Sequence, residues 1–345
     1  MKYFLFYLLS ITSLFYQCTN STIRFNALYP AELDIPVDIQ TVAIIDRSAP
    51  ENKLLSIIEG GITGEGIGQD KLASGITLNG VSSILQNSER YSVVRTNEVL
   101  NGTVSGREFP DPLPWDVVEQ IALKYKVDMV LSLETFDSDF ILTNGSKIIE
   151  KNNADGQPIR MPVFYARGVA TVKIGFRLYD PLGKNILDQY HFSHNMDWES
   201  HGNSIADAAN HLIAKDAAVK DVAYEAGRRY GQRITPSWYR VTRIYYKKAR
   251  KNPDLEEGAR WMEANNWDNA IRSLELAVER GDQESRGLAA HNLAVVYEIL
   301  SDLDHSLSWA QKAWAQYENK DSKDYAYKLN LRIQDRDRLR YQLGE

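Results

Sequence analysis

Residues 258–277 read GARWMEANNWDNAIRSLELA and residues 294–313 read AVVYEILSDLDHSLSWAQKA, two stretches that align without a gap at an offset of thirty-six residues. Gly258, Trp261, Trp267, Ala270, Leu274 and Ala277 recur in register as Ala294, Tyr297, Leu303, Ser306, Ala310 and Ala313. Small residues at the first and fourth of these positions let two antiparallel helices approach closely, and the aromatic or large apolar ones fill the seam. The spacing predicts helices at about 255–264, 267–280, 284–300 and 303–317. A last helix, about 323–342, carries Arg332, Asp335, Arg336, Asp337 and Arg338 and reads as a solvating end cap. Two repeats are fewer than such arrays need to stand alone, so the bundle is expected to pack on the rest of the chain.

Working outward, the other end of the chain sets the compartment. After Lys2, an uncharged run from Tyr3 to Tyr16 rich in Phe, Leu and Tyr is followed by Cys18, the single cysteine. The run is shorter than the roughly 20 residues that a spanning helix needs, and it reads as a signal-peptide core over residues 1–17. Cys18 and the polar Thr19, Asn20, Ser21 and Thr22 resemble the lipid-attachment site of bacterial lipoproteins. That resemblance implies acylation at Cys18, export to the outer membrane on its periplasmic or surface face, and residues 18–36 as a linker. An ordinary cleaved signal, or an uncleaved anchor, is the other reading.

Net charge is −6, which argues against bulk nucleic-acid binding, and 43% apolar with 25% charged residues is an ordinary globular balance. The middle of the chain, residues 37–250, reads as an α/β domain. Thr41–Ile45 is a buried strand, and a Gly-rich loop from Gly60 to Gly68 precedes a helix over 70–86. Tyr91–Val94 is a second strand. Pro112 and Pro114 lead into a helix over 115–125, and Val127–Phe136 is the central strand. Phe164–Tyr179 and Asn185–Trp198, joined by Asp180-Pro-Leu-Gly183, form an antiparallel hairpin, and the polar stretch 143–162 reads as an exposed loop or hairpin tip. Ser204 with Asp207 opens a long helix reaching about Tyr230. The fold class is therefore α+β: an N-terminal α/β sandwich with a mixed sheet, then an all-α bundle over 251–345.

No coherent catalytic constellation emerges. The Gly60–Gly68 loop could cradle an anion, but it lacks the Lys-Ser/Thr of a P-loop and carries Glu65. His191, His194, His201 and His211 lie with Asp197 and Glu199, yet in a strand His191 and His194 point to opposite faces. Glu134, Asp137 and Asp139 could form an acid–base pair at a strand exit, where acidic residues are also common turn formers. The basic stretch is more unusual. Arg228, Arg229, Arg233, Arg240, Arg243, Lys247, Lys248, Arg250 and Lys251 come without an acid and with interleaved aromatics. They could face an acidic partner, an anionic polysaccharide or phospholipid head groups, or lie as long stems over aromatic faces. Metal and cofactor are not expected.

The repeat signature of Gly258, Trp261, Trp267, Ala270, Ala277, Ala294, Tyr297 and Ala313 resembles the tetratricopeptide repeat, which implies binding of a protein or peptide partner. The element order over about 37–200 resembles the α/β domain of the curli secretion lipoprotein and the penicillin-binding-protein activator lipoproteins. The chain as a whole is similar to an uncharacterised family of Bacteroidota lipoproteins, a domain of unknown function with C-terminal tetratricopeptide repeats. The expectation is a non-enzymatic envelope lipoprotein that tethers or regulates a protein partner. An envelope hydrolase on the carboxylate or histidine cluster, or a subunit of a secretion apparatus, are the alternatives.

Overall fold

The computed structural model describes residues 20–48, 69–88, 90–100, 102, 108–152 and 156–345. The elements are β1 (Asn20–Tyr29), β2 (Thr41–Asp46), α1 (Gln69–Gln86), β3 (Ser92–Val99), α2 (Trp115–Tyr125), β4 (Met129–Asn152), β5 (Pro158–Asp180) and β6 (Asn185–Gly202). Then follow α3 (Ile205–His211), α4 (Lys215–Ile234), β7 (Ser237–Tyr246), α5 (Pro253–Glu263), α6 (Trp267–Arg280), α7 (Gln283–Ile299), α8 (Leu303–Ala315) and α9 (Lys320–Leu343). The chain splits into two compact units, one of Met1–Tyr29 with Trp238–Arg338 and the other of Pro30–Ser237 with Leu339–Glu345.

The second unit is a mixed five-stranded sheet in the order β3-β2-β4-β5-β6. β2 runs parallel to both neighbours, with Val42 opposite Val93 and Ala43 opposite Val130. β4, β5 and β6 are antiparallel. Helices cover both faces. Val42, Ile44, Met129, Leu131 and Leu133 pack on α1 and α4, while Ala43, Ile45, Val130 and Tyr179 pack on Val118, Ile121 and Ala122 of α2. That two-sided burial explains why Val42–Ile45 of β2 are all apolar instead of alternating. α1 and α4 touch through glycine: a Cβ on Gly227 would stand 1.9 Å from the carbonyl oxygen of Thr77, and one on Gly80 would stand 2.2 Å from that of Tyr224.

Three expectations are corrected here. The polar stretch 143–162 is mostly strand, because the hydrogen-bond ladder of β4 on β5 continues to Asn152 opposite Pro158. The long helix from Ser204 is two helices. α3 ends after His211, Leu212 is extended, and α4 starts afresh at Lys215, although Ser204 does cap α3 by accepting from the Asp207 amide at 3.1 Å. Within residues 18–36, taken as linker, Asn20–Tyr29 is a strand that pairs with β7. Its odd residues Ile23, Phe25, Ala27 and Tyr29 turn inward while Thr22, Arg24 and Asn26 stay exposed, the alternation of a half-buried strand.

The first unit packs α5 on α6, α6 on α7 and α7 on α8, around a core of Leu255, Met262, Leu274, Leu293, Ala294 and Ala310. The thirty-six-residue period is visible in the backbone. Asn265 and Ser301 both take left-handed geometry, with φ of 55° and 63°. Asn266 and Asp302, one residue on, both cap the following helix, accepting from the amides of Asn269 and His305. Gly258 is where the first hairpin closes most tightly: a Cβ there would lie 2.6 Å from Leu274 Cγ.

Candidate functional site

Two of the sequence candidates, Cys18 and the Gly60–Gly68 loop, lie outside the described residues. The carboxylates are separated in role by a bulge. The β4–β5 register slips between Leu133 and Thr135, so Glu134 is the extra residue and the strand's phase changes behind it. Phe136 thereby reaches the α1/α4 core, and Glu134 faces the α2 side beneath residues 108–114. Glu134 is fully enclosed. It pairs with Arg47 at 3.0 Å, lies 3.9 Å from Arg177 and accepts the Tyr179 hydroxyl at 2.9 Å. The covering segment is tied to the same groups. Arg47 donates to the carbonyl of Asp111, Arg177 donates to that of Pro110, and the Leu113 amide donates to Tyr179. Burial raises the Glu134 pKa, and Arg47, Tyr179 and Arg177 offset only part of that rise. Asp137 lies 3.8 Å from Lys173 and Asp139 is exposed, so neither joins Glu134.

The histidines stay apart. His191 edges onto Phe109, His194 meets Arg229, His201 pairs with Glu199, and His211 pairs with Asp207. Burial, then the charge of Arg229, lowers the His194 pKa.

The basic stretch divides between the units. On α4, Arg228 pairs with Glu225, and Arg233 is held by Asp188 and Glu32 and lies 4.0 Å over the Tyr190 ring. On β7 and after it, Arg243 is inside and Lys247 pairs with Glu263, while Arg240 and Lys248 are exposed.

β7, a strand that Val241–Tyr246 favours in sequence, makes buried polar contacts with the helices that no local pattern announces. Asn292 of α7 accepts from the Tyr246 amide at 2.8 Å and donates to the Tyr246 carbonyl at 2.7 Å. His291 Nε2 lies 3.1 Å from the Ile244 carbonyl, which can only accept, so Nε2 carries the proton and Nδ1 faces Ser322 Oγ at 2.8 Å. These side chains stand in for a missing neighbouring strand on one edge of β7, while β1 pairs along the other. Burial lowers the His291 pKa to about 4.

Below this lies Glu298, whose side chain is fully buried. Arg243 grips it with two bonds of 2.7 and 2.8 Å, Tyr325 donates at 2.6 Å, and Arg332 closes the group. Burial pushes the Glu298 pKa up, but the hydrogen bonds and charge of Arg243, with Tyr325 and Arg332, more than reverse it. Glu298 is therefore held below the usual range, whereas Glu134, with one close guanidinium, is not.

The family described as domain of unknown function (DUF8603) matches residues 39–246, more than half of the chain, and the chain belongs to it. A second family of unknown function (DUF6340) matches residues 256–333, the helical hairpins. No curated protein matches. Among solved structures, a neuraminyllactose-binding hemagglutinin homolog from Helicobacter pylori aligns at 13% identity and TM-score 0.20, over 57% of this chain and 82% of that one. The PelC dodecamer from Paraburkholderia phytofirmans aligns at 11% identity and TM-score 0.16, over 59% and 96%. Scores this low carry no argument.

Proposed function

We propose that the chain is an exported lipoprotein, acylated at Cys18 on the outer membrane, that serves as a non-enzymatic scaffold for a protein partner. The observation that carries this reading is the position of β1. It begins two residues after Cys18 and is already part of the folded helical unit through β7, which suits a body held directly by its anchor. Glu134, the best-placed carboxylate, is spent on tying residues 108–114 to the sheet, a structural task.

The helical hairpins fit the tetratricopeptide type in their small-residue seams and period, and they already hold one extended segment by its backbone, their own β7. Partner contact then falls on the outer face of the β1–β7 ribbon. There Trp238 is 63% exposed, Ile244 is 42% exposed, and Arg240 stands between them on the same side. Trp and Arg are the residue types that dominate binding hot spots.

The test is mass spectrometry of the membrane-extracted N-terminus, with crosslinking from membranes of the native chain, Cys18→Ala and Trp238→Ala/Arg240→Ala. An acylated N-terminus at Cys18, and one defined partner lost in the double variant without loss of acylation, are the expected results. An unmodified Cys18, or crosslinks indifferent to the ribbon face, would sink the reading.

A further inference from the structure

The β1–β7 ribbon has a direction. The Tyr29 ring meets Tyr239 edge-on at 5.6 Å, the Arg243 guanidinium lies 5.9 Å from the Phe25 ring, and the Ser21 side chain bonds Tyr245. The strands are therefore antiparallel, and Asn20 sits at the Tyr245–Tyr246 end. From Asn20 back to Cys18 is two residues, a reach of about 7 Å even fully extended. A lipid on Cys18 leaves no slack, so this end of the helical unit must lie at the bilayer surface.

That end is cationic. Residues 247–251 read Lys-Lys-Ala-Arg-Lys, and Lys251, in left-handed geometry at φ 57°, turns the chain into α5. Lys248, Arg250 and Lys251 are exposed, and Lys247 is paired with Glu263. The carboxylates facing them are Glu263 and Asp282, whose pKa values these cations help to lower, together with Asp254, itself paired with Arg280. Lys247, Lys248, Arg250 and Lys251 thus outnumber Glu263 and Asp282, the carboxylates against them, at the end of the ribbon where β1 begins.

We infer that this rim, residues 247–251, is seated on an anionic phospholipid surface and fixes the orientation of the helical unit on the membrane. The inference rests on the lipoprotein reading for the anchor and on the ribbon geometry for the face. Attraction of Lys and Arg to anionic head groups acts within about a Debye length, roughly 8 Å at physiological salt, which the tether guarantees.

The experiment uses the full chain purified from membranes and reconstituted in phosphatidylglycerol vesicles containing doxyl-labelled lipid. Cys18 is the only native cysteine and is consumed by acylation, so a single dye can be placed at Lys248→Cys or, at the opposite end of the ribbon, at Trp238→Cys. Quenching at least several-fold greater at position 248 than at 238 is expected. It should fall several-fold in phosphatidylcholine vesicles, at high salt, or when Arg250→Glu and Lys251→Glu are added. The N-terminal mass is measured on the same samples. An acylated chain quenched equally at both ends overturns the orientation alone, and quenching indifferent to lipid charge overturns the electrostatic seating. An unacylated Cys18 removes the lipoprotein reading and the inference with it.

Discussion

Asn292 holds Tyr246 by both polar groups of its backbone, taking the amide hydrogen at 2.8 Å and giving one to the carbonyl at 2.7 Å, forty-six residues away in sequence and fully inside the helical unit. A side-chain amide carries an acceptor and donors side by side, so it can satisfy a buried N–H and a buried C=O of one residue together. This pair fastens β7, and with it β1, to α7.

Replacing Asn292 with Ala leaves a buried N–H and C=O without partners, at about 1–3 kcal/mol for each group. Asn292→Asp keeps the acceptor, loses the donor and buries a charge, so it should be no better. Urea unfolding of both variants, followed by tryptophan fluorescence, should show midpoints well below the native one. A native-like midpoint for Asn292→Ala would mean that the ribbon is not held here.

Glu298 pairs with both Arg243 and Arg332 in the core. Glu298→Ala strands two guanidinium groups and should cost roughly 3–5 kcal/mol. Because the folded-state pKa of Glu298 is depressed, its contribution is fully present above the unfolded carboxylate pKa, about 4.3. It is lost as pH falls through the lower folded value. Thermal melts of native protein and variant should therefore converge toward strongly acidic pH.

His291 titrates in the opposite chemical sense, with the same effect on stability. It is neutral in the folded unit, with a pKa lowered to about 4, against about 6.5 when unfolded. Between those values the unfolded chain binds more protons, so stability declines as pH drops from 6.5 to 4, by roughly 3 kcal/mol over the window. His291→Asn should be less stable at neutral pH and lack this slope between pH 6.5 and 4. A slope unchanged in the variant would assign the titration elsewhere.

Gly258→Ala tests the close seam. In an exposed helix this change stabilises by about 1 kcal/mol. Here the new methyl would meet Leu274 Cγ at 2.6 Å, and Leu274 is itself fully buried, so the sign should reverse to a destabilisation of about 1–3 kcal/mol. A calorimetric midpoint at or above native would show that the hairpin can open.

What the residues declare locally was legible. The repeat at Gly258 and Ala294 placed the helices, Pro114 placed the start of α2, and the β-branched run at Thr41 placed the central strand. Each is written in a periodicity or a cap that depends on neighbours a few residues away. The alternation of Ile23, Phe25, Ala27 and Tyr29 was also there to be read, and was masked by the polar run Thr19 to Thr22 before it. The bulge at Glu134 leaves no such mark, because the extra residue exists only relative to β5. Arg243 and Arg233 illustrate the limit: in sequence they belong to one basic run, yet one neutralises Glu298 and the other Asp188. The sequence by itself determined the repeat helices, the apolar central strands and the faces they bury, because each is written in a local periodicity or cap. Only the tertiary structure decided which charges are spent in the interior, because pairing is set by long-range contacts whose partners no local pattern names.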